Sequence, residues 1–219
     1  MTLQHHITHQ NEQWRFDANK ALVEIIQQHI SFKNVIDIGC GYGYFLGALK
    51  NYNPDARILG IDANWVDLRY LQFSPDSFLS RDLEIESCKL NFKADLVVCL
   101  EVAEHLSPAR AQSFCKELTS YNCPILFSAA IPGQGGQGHL NEQFLSYWLE
   151  LFWDYDFRPS DVLHASLWIN RHLPFWLKQN CVLILPTSLC LHNFTLSDKA
   201  QLRLYDRIHP DLYISKFKT

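Results

Sequence analysis

Short apolar runs rich in β-branched residues alternate along the chain with longer stretches of helical periodicity. The runs are Val35 to Ile38, Ile58 to Ile61, Leu96 to Leu100 and Ile125 to Ser128, and mostly apolar character over four or five residues is what a strand covered on both faces shows. Ahead of them, Trp14, Phe16, Leu22, Ile25, Ile26 and Ile30 predict an amphipathic helix. Before the fourth run, Ser107 is placed to cap a helix that has Pro108 at its first position and Phe114, Cys115 and Leu118 on one face. After it, Phe144, Tyr147, Trp148, Leu151 and Phe152 recur at three- and four-residue spacing, which predicts a helix whose aromatic residues belong to the core. Cys181 to Leu185 reads as a late buried strand, and Phe157 to Val162 as a weaker one before it. Strand and helix in alternation imply right-handed crossovers and a parallel sheet with helices on both faces. Neither a repeat nor a Pro/Gly/Ser-rich linker divides the chain. The expectation is a single domain over residues 1–219, with a helical segment over 1–33 and a tail over 194–219 able to cover a site.

Composition narrows the classes. The chain has 219 residues, 47% apolar and 19% charged, a globular balance that excludes disorder, collagen and extended coiled coil. Nineteen Lys and Arg stand against 23 Asp and Glu, a formal charge of -4, which argues against a dedicated nucleic-acid binder. Seven cysteines occur without a C-x-x-C pair and mostly among apolar neighbours, so buried thiols in a cytoplasmic, reducing setting are expected. The segment Met1 to Arg15 is polar and His-rich, and no apolar run approaches 18 residues, so neither a signal peptide nor a membrane span is expected.

Seven of the nine glycines fall in two loops, each following one of these strands: Gly39, Gly41 and Gly43, then Gly133, Gly135, Gly136 and Gly138. Glycine costs backbone entropy on folding, so such clusters call for positive φ or close approach of a ligand. Both lie at carboxyl ends of parallel strands, where open α/β sheets bind ligands. In Asp37-Ile38-Gly39-Cys40-Gly41-Tyr42-Gly43-Tyr44 the third glycine is misplaced for a dinucleotide fingerprint. This spacing weighs against a nicotinamide oxidoreductase. The acid two residues before the first glycine suits a ligand with a cationic group and disfavours a pyrophosphate.

These residues resemble the first motif of the class I S-adenosylmethionine-dependent methyltransferases, and further matches follow in that family's order. Ile58 to Asp62 ends in an acid at the position that, in the family, holds the two ribose hydroxyls. The stretch Phe78 to Leu83 resembles the motif whose Asp accepts from the adenine amino group, and Ala94 to Leu106 resembles the strand and loop beside the methyl donor. The segment Ile131-Pro132-Gly133-Gln134-Gly135-Gly136-Gln137-Gly138-His139-Leu140-Asn141-Glu142-Gln143 resembles a mostly bacterial subgroup with an I-P-G-Q-G-G-x-x-H-x-N-E-Q loop; Leu177 departs from it where an aromatic residue is expected. The resemblance covers Val35 to about Leu185. It implies a Rossmann-like three-layer sandwich whose seven-stranded sheet is mostly parallel with an antiparallel late strand. It also implies S-adenosylmethionine as cofactor, held by Asp37, Gly39, Cys40, Gly41, Gly43, Asp62, Ala63, Asp82, Leu83, Glu101 and His105, with S-adenosylhomocysteine as product.

Methyl transfer from a sulfonium is an in-line displacement, so the protein must hold donor and acceptor close in a desolvated pocket. An oxygen acceptor profits from a base that titrates near neutrality. His139 on the second glycine loop is the candidate base, Glu142 its orienting partner and His105 a further candidate; the competing reading makes His139 and Asn141 caps of the following helix. Asn141, Gln143, Gln179 and Asn180 are expected to hydrogen-bond an acceptor or the loop backbone. The expected acceptor is a hydroxyl or carboxyl of a small molecule, a sugar or a peptide-derived compound, with the protein a monomer or homodimer and neither nucleic acid nor membrane as partner. No metal is assigned. The alternatives are a metal-dependent enzyme resembling the small-RNA 2′-O-methyltransferases, with Glu101, Glu104, His105 and His139 as ligands, and a non-catalytic nucleoside-binding module.

Overall fold

The computed structural model describes residues 12–189 and 198–217. Seven strands form one sheet: β1 (Asn34–Ile38), β2 (Arg57–Asp62), β3 (Phe78–Ser80), β4 (Leu96–Leu100), β5 (Ile125–Ser128), β6 (Phe157–Ser160) and β7 (Val182–Pro186). The helices are α1 (Glu12–Gln27), α2 (Tyr44–Tyr52), α3 (Ala111–Thr119), α4 (Leu145–Trp153), α5 (His164–Trp168), α6 (Phe175–Asn180) and α7 (Pro210–Phe217). Strand order is β3-β2-β1-β4-β5-β7-β6. β1 to β5 are joined by parallel pairing, and β7 lies antiparallel between β5 and β6. This is the expected Rossmann-like sandwich, late reversed strand included. Among the described residues no helix is long and apolar enough to cross a membrane.

The strands are buried because both faces carry helices. One apolar cluster packs Phe114 and Leu118 of α3 and Trp148 and Phe152 of α4 on Ile36, Val97 and Phe127. The other packs Leu22 and Ile26 of α1 and Phe45 and Leu49 of α2 on Val35, Val98 and Leu183. A buried Leu or Phe side chain stabilises by roughly 1.5–3 kcal/mol relative to exposure, so these two layers set where the sheet sits.

Three local readings change. The buried face of α4 is Leu145, Trp148, Leu149 and Phe152, while Phe144 is exposed and Tyr147 and Leu151 only half-buried. The face packed on the core is centred on Trp148, Leu149 and Phe152, which leaves Phe144 ahead of the helix and Tyr147 and Leu151 on its flank. Ser107 does not cap α3: it precedes a 3-10 turn, Pro108–Arg110, and its hydroxyl donates to Glu84 Oε1 at 2.6 Å. Nor do His139 or Asn141 cap α4, since Phe144 stands at that position; Asp206 accepts instead from the Ser146 backbone N–H at 2.8 Å and from its hydroxyl at 2.7 Å. Cys190 and residues 190–197 lie outside the described residues, as do 1–11 and 218–219; the six described cysteines are unpaired thiols, five of them buried.

Candidate active site

The chain leaves β1 for one side of the sheet and β4 for the other, so a crevice opens at their carboxyl ends. Gly39, Gly41 and Gly43 all have positive φ. At Gly39 the reason is also steric, because a Cβ would lie 2.2 Å from Val102 Cγ2 in the segment after β4. At Gly41 a Cβ would meet nothing, which leaves backbone bare toward the crevice. Gly43 backs onto Phe73 and precedes α2, so it shapes the loop from behind.

Two clefts flank the loop and share Gly39, Gly41, Trp65 and Glu101. The larger, about 460 Å3, takes in Asp62, Ala63, Asp82, Leu83 and His105. Asp62 ends β2 and is buried; its two oxygens accept from the Gly41 and Ala63 backbone N–H groups, each at 2.7 Å. A carboxylate oxygen has two lone pairs, so each can accept again. Asp82 is exposed, and its Oδ1 accepts from the Glu84 N–H at 3.0 Å.

The second cleft, about 280 Å3, holds Asp37, Cys40, Arg15 and an aromatic rim of Trp14, Tyr42 and Trp176. Asp37 is 4% exposed, and among the described residues no hydrogen bond reaches its carboxylate. Burial first, and the neighbouring Asp62 charge second, push it up to about 8. Across the same cleft, Arg15 Nε is buried without a partner. A buried acid and a guanidinium whose buried Nε has no partner among the described residues, at one end of a crevice, fit a zwitterionic amino-acid group. The residues present therefore fit S-adenosylmethionine. Sequence reading missed Arg15, which lies on α1, far along the chain from the glycine loop.

Beyond β4 the chain turns sharply. Glu101 takes a left-handed conformation, φ 54°, uncommon for a residue with a side chain, and its carboxylate accepts from Gln134 at 2.9 Å and Asn180 at 3.2 Å. Asn180 also donates to Gln134 Oε1 at 2.9 Å and accepts from Gln179 at 2.7 Å. Gln179 in turn accepts from the His209 N–H at 2.7 Å, and Lys216 Nζ donates to the Gln134 carbonyl at 2.9 Å. This network joins the sheet edge, the second glycine loop, α6 and the C-terminal segment. Of the expected polar residues, Gln143 bonds the Asn141 side chain, while Asn141 Nδ2 stays buried and unpartnered.

The Leu140 and Asn141 N–H groups both donate to the Glu104 carbonyl, at 2.8 and 2.9 Å, and so fasten the second loop to the turn Ala103–His105. That places His139 against His105, ring centroids 4.9 Å apart and nearly perpendicular. His139 Nδ1 lies 2.8 Å from Glu142 Oε1, and the Glu142 carboxylate also accepts from the Gly133 and Gly135 N–H groups, which helps hold it below the usual range against the opposing effect of burial. His105 Nδ1 lies 3.2 Å from the Gly138 carbonyl. Glu104 is fully buried and neither carboxylate oxygen has a partner; the nearby Glu104 and Ala130 N–H groups favour its charged form without completing a hydrogen bond. Burial raises both Glu101 and Glu104, and the Glu101 charge raises Glu104 further. Ligand atoms of Glu104, His105 and His139 lie within 4.8 Å of one another; Glu101 is not of that group.

Residues 36–122 match the model of a methyltransferase domain family. Malonyl-[acyl-carrier protein] O-methyltransferase of Acetivibrio thermocellus is 37% identical over 67 residues, 30% of this chain and 24% of that protein. An O-methyltransferase family protein from Burkholderia thailandensis superposes with a TM-score of 0.53 at 12% identity, over 78% of this chain and 55% of that one. Human N-acetylserotonin methyltransferase, solved in complex with S-adenosylmethionine, gives 0.50 at 14% identity over 80% and 53%. The chain thus spans about a quarter of the curated relative and just over half of these structures. Part of the chain is thus similar to a methyltransferase domain, and its fold is one that these methyltransferase structures share.

Proposed function

We propose that the protein transfers the methyl group of S-adenosylmethionine to an oxygen of a small organic acceptor. The observation that carries this reading is the crevice astride Gly39 and Gly41, with buried Asp37 and the unpartnered Arg15 Nε at one end and Asp62 and Asp82 at the other, among the described residues. When bound there, the cofactor supplies an activated methyl group on a sulfonium. The chain's residues hold the two reactants: Asp37 takes the donor's ammonium, Arg15 its carboxylate, Asp62 the ribose hydroxyls and Asp82 the adenine edge. An acceptor oxygen gains carbon as the carbon–sulfur bond breaks and must lose its proton. His139, held through Nδ1 by Glu142, is assigned to activating that oxygen, with His105 beside it.

The O-methyltransferase names of the relatives support an oxygen acceptor, and the acidic balance of the chain weighs against RNA. Trp14 and Trp176, 5.9 Å apart at the cleft rim, suit an acceptor with an apolar or ring face. We read the I-P-G-Q-G-G loop as the acceptor-side element of a distinct subgroup, the C-terminal segment as its cover, and the unpaired thiols as fitting a cytoplasmic setting. Calorimetric titration with S-adenosylhomocysteine, followed by labelled methyl transfer to a panel of hydroxyl and carboxyl compounds, tests the proposal. Donor-product binding with transfer to at least one oxygen acceptor is expected; failure to bind S-adenosylhomocysteine overturns it, and binding without transfer to any acceptor favours a non-catalytic nucleoside module.

A further inference from the structure

We infer that Gly136 is a positioning residue for the transfer proposed above: the place of its missing side chain is the seat of the His139 imidazole, and the seat keeps Nε2 open to the acceptor. The part given to Nε2 rests on that proposal; the seat itself rests on geometry.

Three of the four glycines in the second loop have a backbone reason to be glycine. Gly133, Gly135 and Gly138 have φ of 81°, 76° and 77°, in the left-handed region. Gly136 does not share it, so its bare backbone answers to something else. A Cβ built there would lie 2.2 Å from Nε2 of His139, 2.3 Å from Cε1 and 2.9 Å from Cδ2. Atoms in contact stand roughly 3.5–4.0 Å apart, so the ring would have to withdraw by more than about 1 Å. The close approach that a glycine cluster calls for is made here by the protein's own imidazole.

Neither side is free to give. Glu142 Oε1 accepts from the Gly135 N–H at 2.9 Å and lies 2.8 Å from His139 Nδ1, while Oε2 accepts from the Gly133 N–H at 2.9 Å. One carboxylate therefore fixes the ring and its seat relative to each other. His105 stands nearly perpendicular to the ring, and Gln134, two residues before the seat, is tied to Glu101 and Asn180. A methyl added at residue 136 relieves its overlap by breaking one of these contacts.

The ring atom nearest the missing side chain is the one the chemistry needs. A carboxylate only accepts, so Nδ1 carries the hydrogen and the lone pair of the neutral imidazole lies on Nε2. In the transfer, the acceptor O–H proton goes to Nε2, the oxygen lone pair forms the bond to the methyl carbon, and the electrons of the broken carbon–sulfur bond stay on sulfur. His139 borders a cavity of about 280 Å3 with Phe175 and Trp176, the space this assigns to the acceptor.

The test compares G136A, H139A and G136A/H139A with wild type as full chains. S-adenosylhomocysteine affinity by calorimetry should stay within about twofold in all three, which also shows that they fold. Labelled transfer from S-adenosylmethionine to the panel compound that wild type methylates best should fall about 10- to 100-fold in G136A, with the loss in kcat rather than in the acceptor KM. The three atoms nearest the added methyl all belong to the imidazole, so G136A should cost less than about twofold in the H139A background; a glycine with a general structural role would cost the same in both. Long-range 1H–15N spectra, with the His139 imidazole assigned by its loss in H139A, should show its signals displaced in G136A before any acceptor is added. Loss of S-adenosylhomocysteine affinity in G136A, wild-type turnover in G136A, an equal loss in the two backgrounds, or unmoved His139 signals overturns the inference. If wild type methylates no panel compound, the function falls instead, and displaced His139 signals in G136A still establish the seat.

Discussion

Replacing Asp37 with Asn should stabilise the donor-free protein, and the gain should depend on pH. Asp37 is buried, faces Asp62 and has its carboxyl pushed from an ordinary value of 3.8 to about 8. Between those values the folded chain keeps a proton that the unfolded chain releases. Stability therefore falls as pH rises from about 4 to about 8 and levels off above. At pH 7 roughly three pH units separate the ordinary carboxyl value from the solution, which at 1.36 kcal/mol per unit is on the order of 4 kcal/mol. Asn has the same shape and nothing to ionise. For a chain of this size about 2–4 °C accompany each kcal/mol, so D37N should unfold roughly 10 °C higher than wild type at pH 7, with the gap closing toward pH 4. Circular dichroism melts from pH 4.5 to 8.5 without donor make the comparison. Parallel profiles for the two proteins would refute the reasoning, since they would mean that Asp37 ionises as freely when folded as when unfolded. The same carboxyl should release about one proton when S-adenosylhomocysteine binds at pH 7, seen as a buffer-dependent calorimetric enthalpy that D37N lacks.

D62A removes two 2.7 Å charge-assisted bonds that hold the first glycine loop, each worth about 1.5–3 kcal/mol. Donor-product affinity should fall at least tenfold in calorimetry, and unchanged affinity would contradict the role given to Asp62. Arg15→Gln should weaken S-adenosylhomocysteine several-fold yet leave adenosine binding untouched, which separates the amino-acid end of the crevice from the nucleoside end. H139A should keep donor affinity while turnover drops about 10²- to 10⁴-fold; normal turnover would return His139 to a structural part. D206A deletes the only side-chain cap seen at α4 among the described residues, and the melting temperature should fall by about 2–4 °C for a cap worth ~1 kcal/mol.

The sheet was legible because four of its strands are short, mostly apolar runs, and their ends in the structure differ from the sequence reading by no more than one residue. Asp37, Asp62 and Asp82 were legible because each lies at or just beyond the carboxyl end of a strand. The α4 stripe was misread because aromatic residues can bury on a helix flank or stand at its start, and only the position of Phe144 decides which. Arg15, Asp206 and the Glu101–Gln134–Asn180 network could not be read along the chain at all: their partners lie 33 to 79 residues away, or across a cleft, and tertiary packing alone brings them together. The closeness of Glu104, His105 and His139 belongs to both kinds. Glu104-His105 is visible as a pair, but the staple from Leu140 and Asn141 to the Glu104 carbonyl is what delivers His139.

Gln134 is held at once by Glu101, Asn180 and Lys216, from three separate stretches of the chain. Because these ties come from three stretches, a substitution at Asn180 or Lys216, far along the chain from the glycine loop, reaches that loop's position through Gln134.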